Sequence, residues 1–201
     1  RRAGALDAAL LNGTAGTWLE LNEGNLFAKG HPGIQVVPAA VALAQEAGAS
    51  GEELLMAVAV GYEISSRISR AAQMKIAVHP HGTWGTIGAG AACARVAGMA
   101  ASEMRQTINI AASLTTATSK QTMLEGGLVR NVYAGLSNRH GLLALNLAEC
   151  GFTGERDGPT SLLGKIISES FNQDAVTQGL GQDWHLMRNY FKLQSCCRYN
   201  H

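Results

Sequence analysis

The run TWGTIGAGAACARVA, Thr83 to Ala97, decides the fold. Glycine and alanine dominate it, and from Gly88 to Ala92 no side chain is larger than a methyl group. A segment so small on every face lets neighbouring helices come very close, so the run predicts a buried helix among tightly packed helices. Gly85, Gly88 and Gly90 also suggest a dinucleotide-binding loop, but no strand signal precedes them and that reading is set aside.

Working outward, His79-Pro80-His81-Gly82 reads as the loop entering this helix. Before it, Ser50 and Glu53 form a capping-box signature that opens a long helix carrying Leu54, Val58, Tyr62 and Ile68 on one face. Val37, Val41 and Ala44 mark an earlier helix that Pro38 can open and Gly48 closes. Ala3 to Leu21 reads as a helix interrupted near Gly13 and Gly16, and Asn22 to Gly33 as a loop. After the central run, Ser102 can cap a helix bearing Met104, Ile108 and Ala112. A loop at Glu125-Gly126-Gly127 leads to a helix from Asn131 to Cys150, with Gly151 at its C-terminal end. Pro159 and Thr160 open a further helix through Ile166 to Phe171, and Trp184 to Leu193 is the one plausible strand.

The chain has 201 residues, a formal charge of +1, 24 glycines and few aromatic residues. That length allows one ordinary domain, or one large domain with a fragment of another. Scattered Lys and Arg make no footprint for nucleic acid, and no apolar run is long enough to span a bilayer. No signal peptide is expected at Arg1 and Arg2, and the reading is a soluble, cytoplasmic protein. Cys93, Cys150, Cys196 and Cys197 lack paired spacing and read as reduced, mostly structural thiols.

Three glycine-bearing loops, 20–33, 79–85 and 125–135, carry ionisable side chains at helix boundaries, where function tends to reside. They offer Glu20, Glu23 and His31, then His79 and His81, then Glu125 and Arg130. Imidazole titrates near neutrality and guanidinium grips a carboxylate through two hydrogen bonds, so the mixture suits proton transfer beside a carboxylate substrate. Each residue also has a plainer reading. His31 can bond to backbone within a turn, Glu20 and Glu23 can be solvated charges, and His79 with His81 can begin a metal site that lacks further ligands. Arg130 near a helix N-terminus opposes the dipole, which favours a ligand-facing role.

Four strings, Leu11-Asn12-Gly13-Thr14-Ala15, Gly30-His31-Pro32-Gly33, His79-Pro80 with Gly85-Thr86-Ile87-Gly88-Ala89, and Gly151-Phe152-Thr153-Gly154, together resemble the MmgE/PrpD family in order and separation. That family includes 2-methylcitrate dehydratase, cis-aconitate decarboxylase and iminodisuccinate epimerase. The resemblance implies an all-α fold, with residues 1–183 as part of a large helical domain and residues 184–201 as the start of a small α/β lid domain. It also implies a site between the two domains with no metal or organic cofactor, a small polycarboxylate as substrate, and a homodimer.

By the same resemblance the family histidines fall on His31 and His79, its acidic residue on Glu20 or Glu23, and its Thr position on Asn25 or Gly24. A family Lys falls on Arg130, Phe191-Lys192 matches the string that enters the lid, and a later histidine falls on Cys197. His79, His31 and Glu20 are thus the expected catalytic residues, and Arg130, Asn25, Glu23 and Lys192 the expected substrate-binding ones. The expected reaction removes a proton next to a carboxylate, stabilises the enediolate, and expels hydroxide or carbon dioxide. An epimerase needs the same first step, and a non-catalytic helical dimerisation module is the alternative from another class.

Overall fold

The computed structural model describes residues 3–194. The chain runs as helix α1 (Ala5–Trp18), strand β1 (Glu23–Asn25), α2 (Pro32–Ala47), α3 (Gly51–Ala71), β2 (Ala72–Met74), α4 (Trp84–Val96), α5 (Ala101–Ser113) and α6 (Lys120–Leu124). A 3-10 turn at Leu128–Asn131 leads into α7 (Val132–Glu149), then α8 (Gly158–Leu162), a π turn at Leu163–Ile167, β3 (Ser168–Phe171) and α9 (Gln173–Thr177). A second 3-10 turn at His185–Arg188 and β4 (Asn189–Phe191) follow. The architecture is all-α, with two small antiparallel ribbons, β1 with β4 and β2 with β3.

Helix α4 is the Gly/Ala-rich run, and every residue from Trp84 to Ala94 is buried. Each neighbour meets it at a small residue. A Cβ added at Gly88 would fall onto Ser65 Oγ of α3, and one at Gly141 of α7 would meet the Gly90 backbone nitrogen at 2.7 Å. One added at Gly85 would strike the side chain of Gln35 on α2, and one at Gly90 would meet Ala111 of α5 at 3.0 Å. Such close approach substitutes dense dispersion contact for the bulk that large core side chains provide.

The structure corrects several expectations. Helix α1 passes unbroken through Gly13 and Gly16, because these glycines are contact points rather than breaks: a Cβ at Gly13 would lie 2.8 Å from Gly135 Cα, and one at Gly16 would lie 2.6 Å from Ile34 Cδ1. Helix α2 starts at Pro32, leaving Pro38 inside it. Pro38 has no N–H to offer the Ile34 carbonyl. Asn138 of α7 repairs the gap: Nδ2 donates to that carbonyl at 2.8 Å, and Oδ1 accepts from Ala39 N at 2.8 Å. Helix α5 is capped at Ala100, whose N–H donates to Glu103 at 2.8 Å, so Ser102 lies within the helix rather than at its cap.

Near the end, the helix from Pro159 stops well short of Phe171. Ile166 is exposed and Ile167 buried, and Ile167 O accepts from Lys75 N at 3.1 Å, so pairing with β2 wins over helical propagation. The strand expected over Trp184 to Leu193 shrinks to the three residues of β4, and it pairs with β1, a strand in the segment read as loop. β1, β2 and β3 were not anticipated, because strands of three or four residues carry no periodic signal. The expectations for Cys196 and Cys197 lie outside the described residues. Cys93 is buried and Cys150 exposed, both as free thiols. No helix among the described residues is long and apolar enough to cross a membrane.

Asn138→Ala should cost about 3 kcal/mol in denaturant unfolding, since it orphans buried backbone groups on α2. In a Pro38→Ala background the loss should shrink, because the alanine N–H then reaches the Ile34 carbonyl; equal losses in both backgrounds would refute the repair.

Candidate functional site

The three loops meet at one end of the helical core. Loop 19–31 follows α1, loop 75–83 enters α4, and the segment 115–131 carries α6 and the first 3-10 turn. Between them lies a cleft of about 460 Å³, lined by Glu20, Leu26, Lys29, Gly30, His31, His79, Pro80, His81, Lys120, Met123 and Arg130. That volume suits a small organic acid.

Cross-links within the core hold the loops in place. Gln35 of α2 donates to His31 O at 3.1 Å, while its Oε1 accepts from Ser137 Oγ at 2.9 Å and from Gly82 N at 3.3 Å. The loops of His31 and His79 are therefore tied through one side chain. Thr118 Oγ1 donates to His79 O at 3.1 Å and to His81 O at 2.6 Å, and His79 N donates to Thr118 O at 2.8 Å.

These bonds also decide which nitrogen of each imidazole carries its proton. His31 Nδ1 lies 2.5 Å from Glu23 O, and a carbonyl only accepts, so Nδ1 bears the hydrogen and Nε2 keeps a lone pair. His79 is the reverse: its Nδ1 accepts from His81 N at 3.1 Å, so neutral His79 carries its hydrogen on Nε2. One imidazole presents an acceptor and the other a donor. Burial, with Lys192 next in importance, lowers His31 to about 4. Burial, with Arg130 next, does the same to His79. Both rings are neutral near pH 7.

Glu20 sits in the left-handed region at φ 56°, where a non-glycine residue is strained. Arg130 pairs closely with its carboxylate, and Lys192 Nζ reaches its other oxygen at 2.8 Å. Burial raises the Glu20 pKa, but the Lys192 hydrogen bond and the two cations outweigh it and hold the group below the usual carboxylate range. Arg130 also donates to Asn131 Oδ1 at 2.9 Å.

Of the expected site residues, the structure brings His31, His79, Glu20 and Arg130 to one cleft. Lys192 reaches it through Glu20. Glu23 and Asn25 do not line it. Glu23 Oε1 accepts from Gly33 N at 2.6 Å, capping the N-terminus of α2, and burial pushes its carboxyl up to about 7. Asn25 is fully buried: Nδ2 donates to His185 O at 2.8 Å, and Oδ1 accepts from Phe27 N, Ala28 N and Ser66 Oγ. Lys29, Lys120 and Met123 line the cleft unanticipated. Lys29 had a signal, standing one residue before Gly30-His31-Pro32-Gly33, whereas Lys120 and Met123 lie on a short helix with no pattern of their own. Among the described residues, no group of three or more His, Cys, Asp or Glu side chains is arranged to hold a metal ion.

Residues 1–161 match the family model described as the MmgE/PrpD N-terminal domain, and the chain belongs to the MmgE/PrpD family. Cis-aconitate decarboxylase of Aspergillus terreus is 26% identical over 215 residues, covering 98% of this chain and 44% of that protein. The cis-aconitate decarboxylase-like protein oryM of Aspergillus oryzae is 25% identical over 98% of this chain and 44% of its own length. Cis-aconitate decarboxylase of Homo sapiens is 28% identical over 74% of this chain and 32% of its own length. The chain thus spans less than half the length of the curated relatives it matches.

Glu23 and the two histidines make opposite contributions to the pH dependence of stability. The Glu23 pKa is raised, so its contribution is complete below 4.5 and is lost as pH rises through about 7; those of His31 and His79 are lowered, so theirs are complete above 6.5 and are lost as pH falls toward 4. Glu23→Gln should therefore melt progressively better relative to the parent between pH 5 and pH 8, by about 2–4 °C for each kcal/mol of ionisation cost removed. A gap that stays constant with pH would show that Glu23 ionises normally.

Proposed function

We propose that this member of the MmgE/PrpD family is part of a lyase acting on a small di- or tricarboxylic acid, with residues up to 183 belonging to its helical domain and the segment from 184 leading into a lid. The observation that carries the reading is the pair of oppositely polarised imidazoles, His31 and His79, facing one cleft beside Arg130. Among the described residues, Lys29, Lys120 and Arg130 oppose a single cleft carboxylate, Glu20, which favours an anionic ligand carrying more than one charge.

His31 acts as the base. Its Nε2 lone pair takes a proton from the carbon next to a carboxylate, and the Glu23 carbonyl on Nδ1 steadies the imidazolium that forms. His79 is suited to donate its Nε2–H to the enediolate oxygen while staying neutral, because Nδ1 is engaged by a backbone N–H and cannot take up a second proton. Loss of water then balances. The C–H electron pair forms the new double bond, the neighbouring C–O bond breaks, and the departing hydroxide takes the proton held by His31. Loss of carbon dioxide runs the proton the other way: His31 first takes a proton from solvent once the polyanion is bound, the carbon–carboxylate bond then breaks, its electrons shift into the carbon framework, and His31 gives that proton to carbon. The bound polyanion assists both, since its charge raises the low basicity of His31 at the moment it is needed. The decarboxylase names of the relatives favour loss of carbon dioxide.

Proton NMR of the full-length protein with cis-aconitate in deuterated water tests this. The expected result is release of carbon dioxide with one solvent deuterium on the product carbon. Exchange of deuterium into substrate without loss of a group would instead show proton abstraction alone, the step that an epimerase of a chiral acid would share. A melting temperature unmoved by any polycarboxylate would point to a non-catalytic module, since a ligand at a hundredfold its Kd should add about 2.7 kcal/mol. Replacing His31 by Asn should lower kcat about 10²–10⁴-fold. Arg130→Lys should keep more activity than Arg130→Met; equal losses would mean that the bidentate fork, not the charge, is required.

A further inference from the structure

His81 has no role in the scheme above, yet it is the most enclosed ring of the cleft. It is 1% exposed, it lines the cavity, and neither ring nitrogen has a hydrogen-bond partner among the described residues. Buried polar atoms are nearly always paired, so a side chain with two unpaired nitrogens points to a ligand that completes it. Its backbone leaves it no escape. His81 N donates to His79 Nδ1 at 3.1 Å, its carbonyl accepts from Thr118 Oγ1 at 2.6 Å, and Gly82 follows at φ 94°. The ring is held edge-on between His31 at 5.5 Å and His79 at 4.9 Å, measured between centroids.

We infer that His81 is a substrate-contacting residue, donating a ring N–H to a carboxylate oxygen of the bound acid and so helping to select which polycarboxylate fits. The inference rests on the lyase reading. Burial, followed by the neighbouring His79 and His31, holds His81 well below its ordinary pKa, so the ring is neutral. A neutral imidazole adds a directed donor without adding charge, and leaves the net charge of the ligand to Lys29, Lys120 and Arg130. The unliganded protein meanwhile keeps an unsatisfied ring in its interior, which is a stability defect retained at a binding site.

The test uses the full-length protein, its His81→Phe and His81→Gln variants, and cis-aconitate as the probe for both melting-temperature shifts and turnover. His81→Phe keeps the ring and removes both nitrogens. Without ligand it should melt at or above the parent temperature, while its KM and Kd for cis-aconitate rise about tenfold or more and kcat changes far less. His81→Gln, which restores a donor, should recover much of the affinity. A His81→Phe variant that melts below the parent and binds cis-aconitate as tightly would make His81 a core residue and overturn the inference. If His81→Phe fails to fold, His81→Leu, which likewise lacks a donor, takes its place: weaker binding that His81→Gln restores supports the inference, and parent-like binding overturns it. If the parent binds no polycarboxylate, the lyase reading fails and takes this inference with it; if the parent binds and the variants bind equally, only this inference fails.

Discussion

The closeness of α4 to its four neighbours is the constraint on which the rest depends. A helix without side-chain bulk lets its neighbours approach closely: α3 meets it at Gly61 and Ser65, α7 at Gly141 and α5 at Ala111, while α2 lays Gln35 against Gly85. Once α4 is central, its N-terminus is central too. The loop that enters it, His79 to Gly82, must then open where the ends of α2 and α7 converge. The cleft is therefore a consequence of packing rather than an addition to it. Any enlargement at Gly88 or Gly141 would move the histidines as well as loosen the core.

Electrostatically the cleft sets neutral imidazoles among cations. Arg130, Lys29 and Lys120 line it, and among the described residues Glu20 is the one carboxylate that opposes them there. Negative charge set beside the rings would counter the part of that depression which comes from the cations, though not the larger part that comes from burial. Glu20 is held between Arg130 and Lys192.

Helices with a strong period were legible in the sequence. Ser50 and Glu53 announced α3, and the capping box is present. The Gly/Ala run announced a buried helix, and α4 is one. What was not legible depended on distant partners. Nothing near Pro38 tells that Asn138, a hundred residues on, will satisfy the carbonyl that proline strands. Gly13 and Gly16 look like breaks until the surfaces they meet are known. In the site, His31 and His79 stood out by their glycine-flanked loops, whereas Glu23 and Asn25 looked alike as polar loop residues. Their division from the cleft comes from the turn of the loop, which aims one at the α2 N-terminus and the other at His185 O.

Strand β4 pairs with β1, which places Tyr190 opposite Gly24, where a Cβ would collide with the tyrosine ring. Two residues on, Lys192 is buried against Glu20. Lys192 therefore neutralises the cleft carboxylate and, next after burial, depresses His31. The protonation of His31 is set partly by a residue 161 positions away along the chain, and pairing of β4 with β1 is what delivers it. A shift of β4 along β1 would withdraw Lys192 from Glu20 and raise the His31 pKa. The short ribbon thereby couples the chemistry of the cleft to the strand that leaves the helical core.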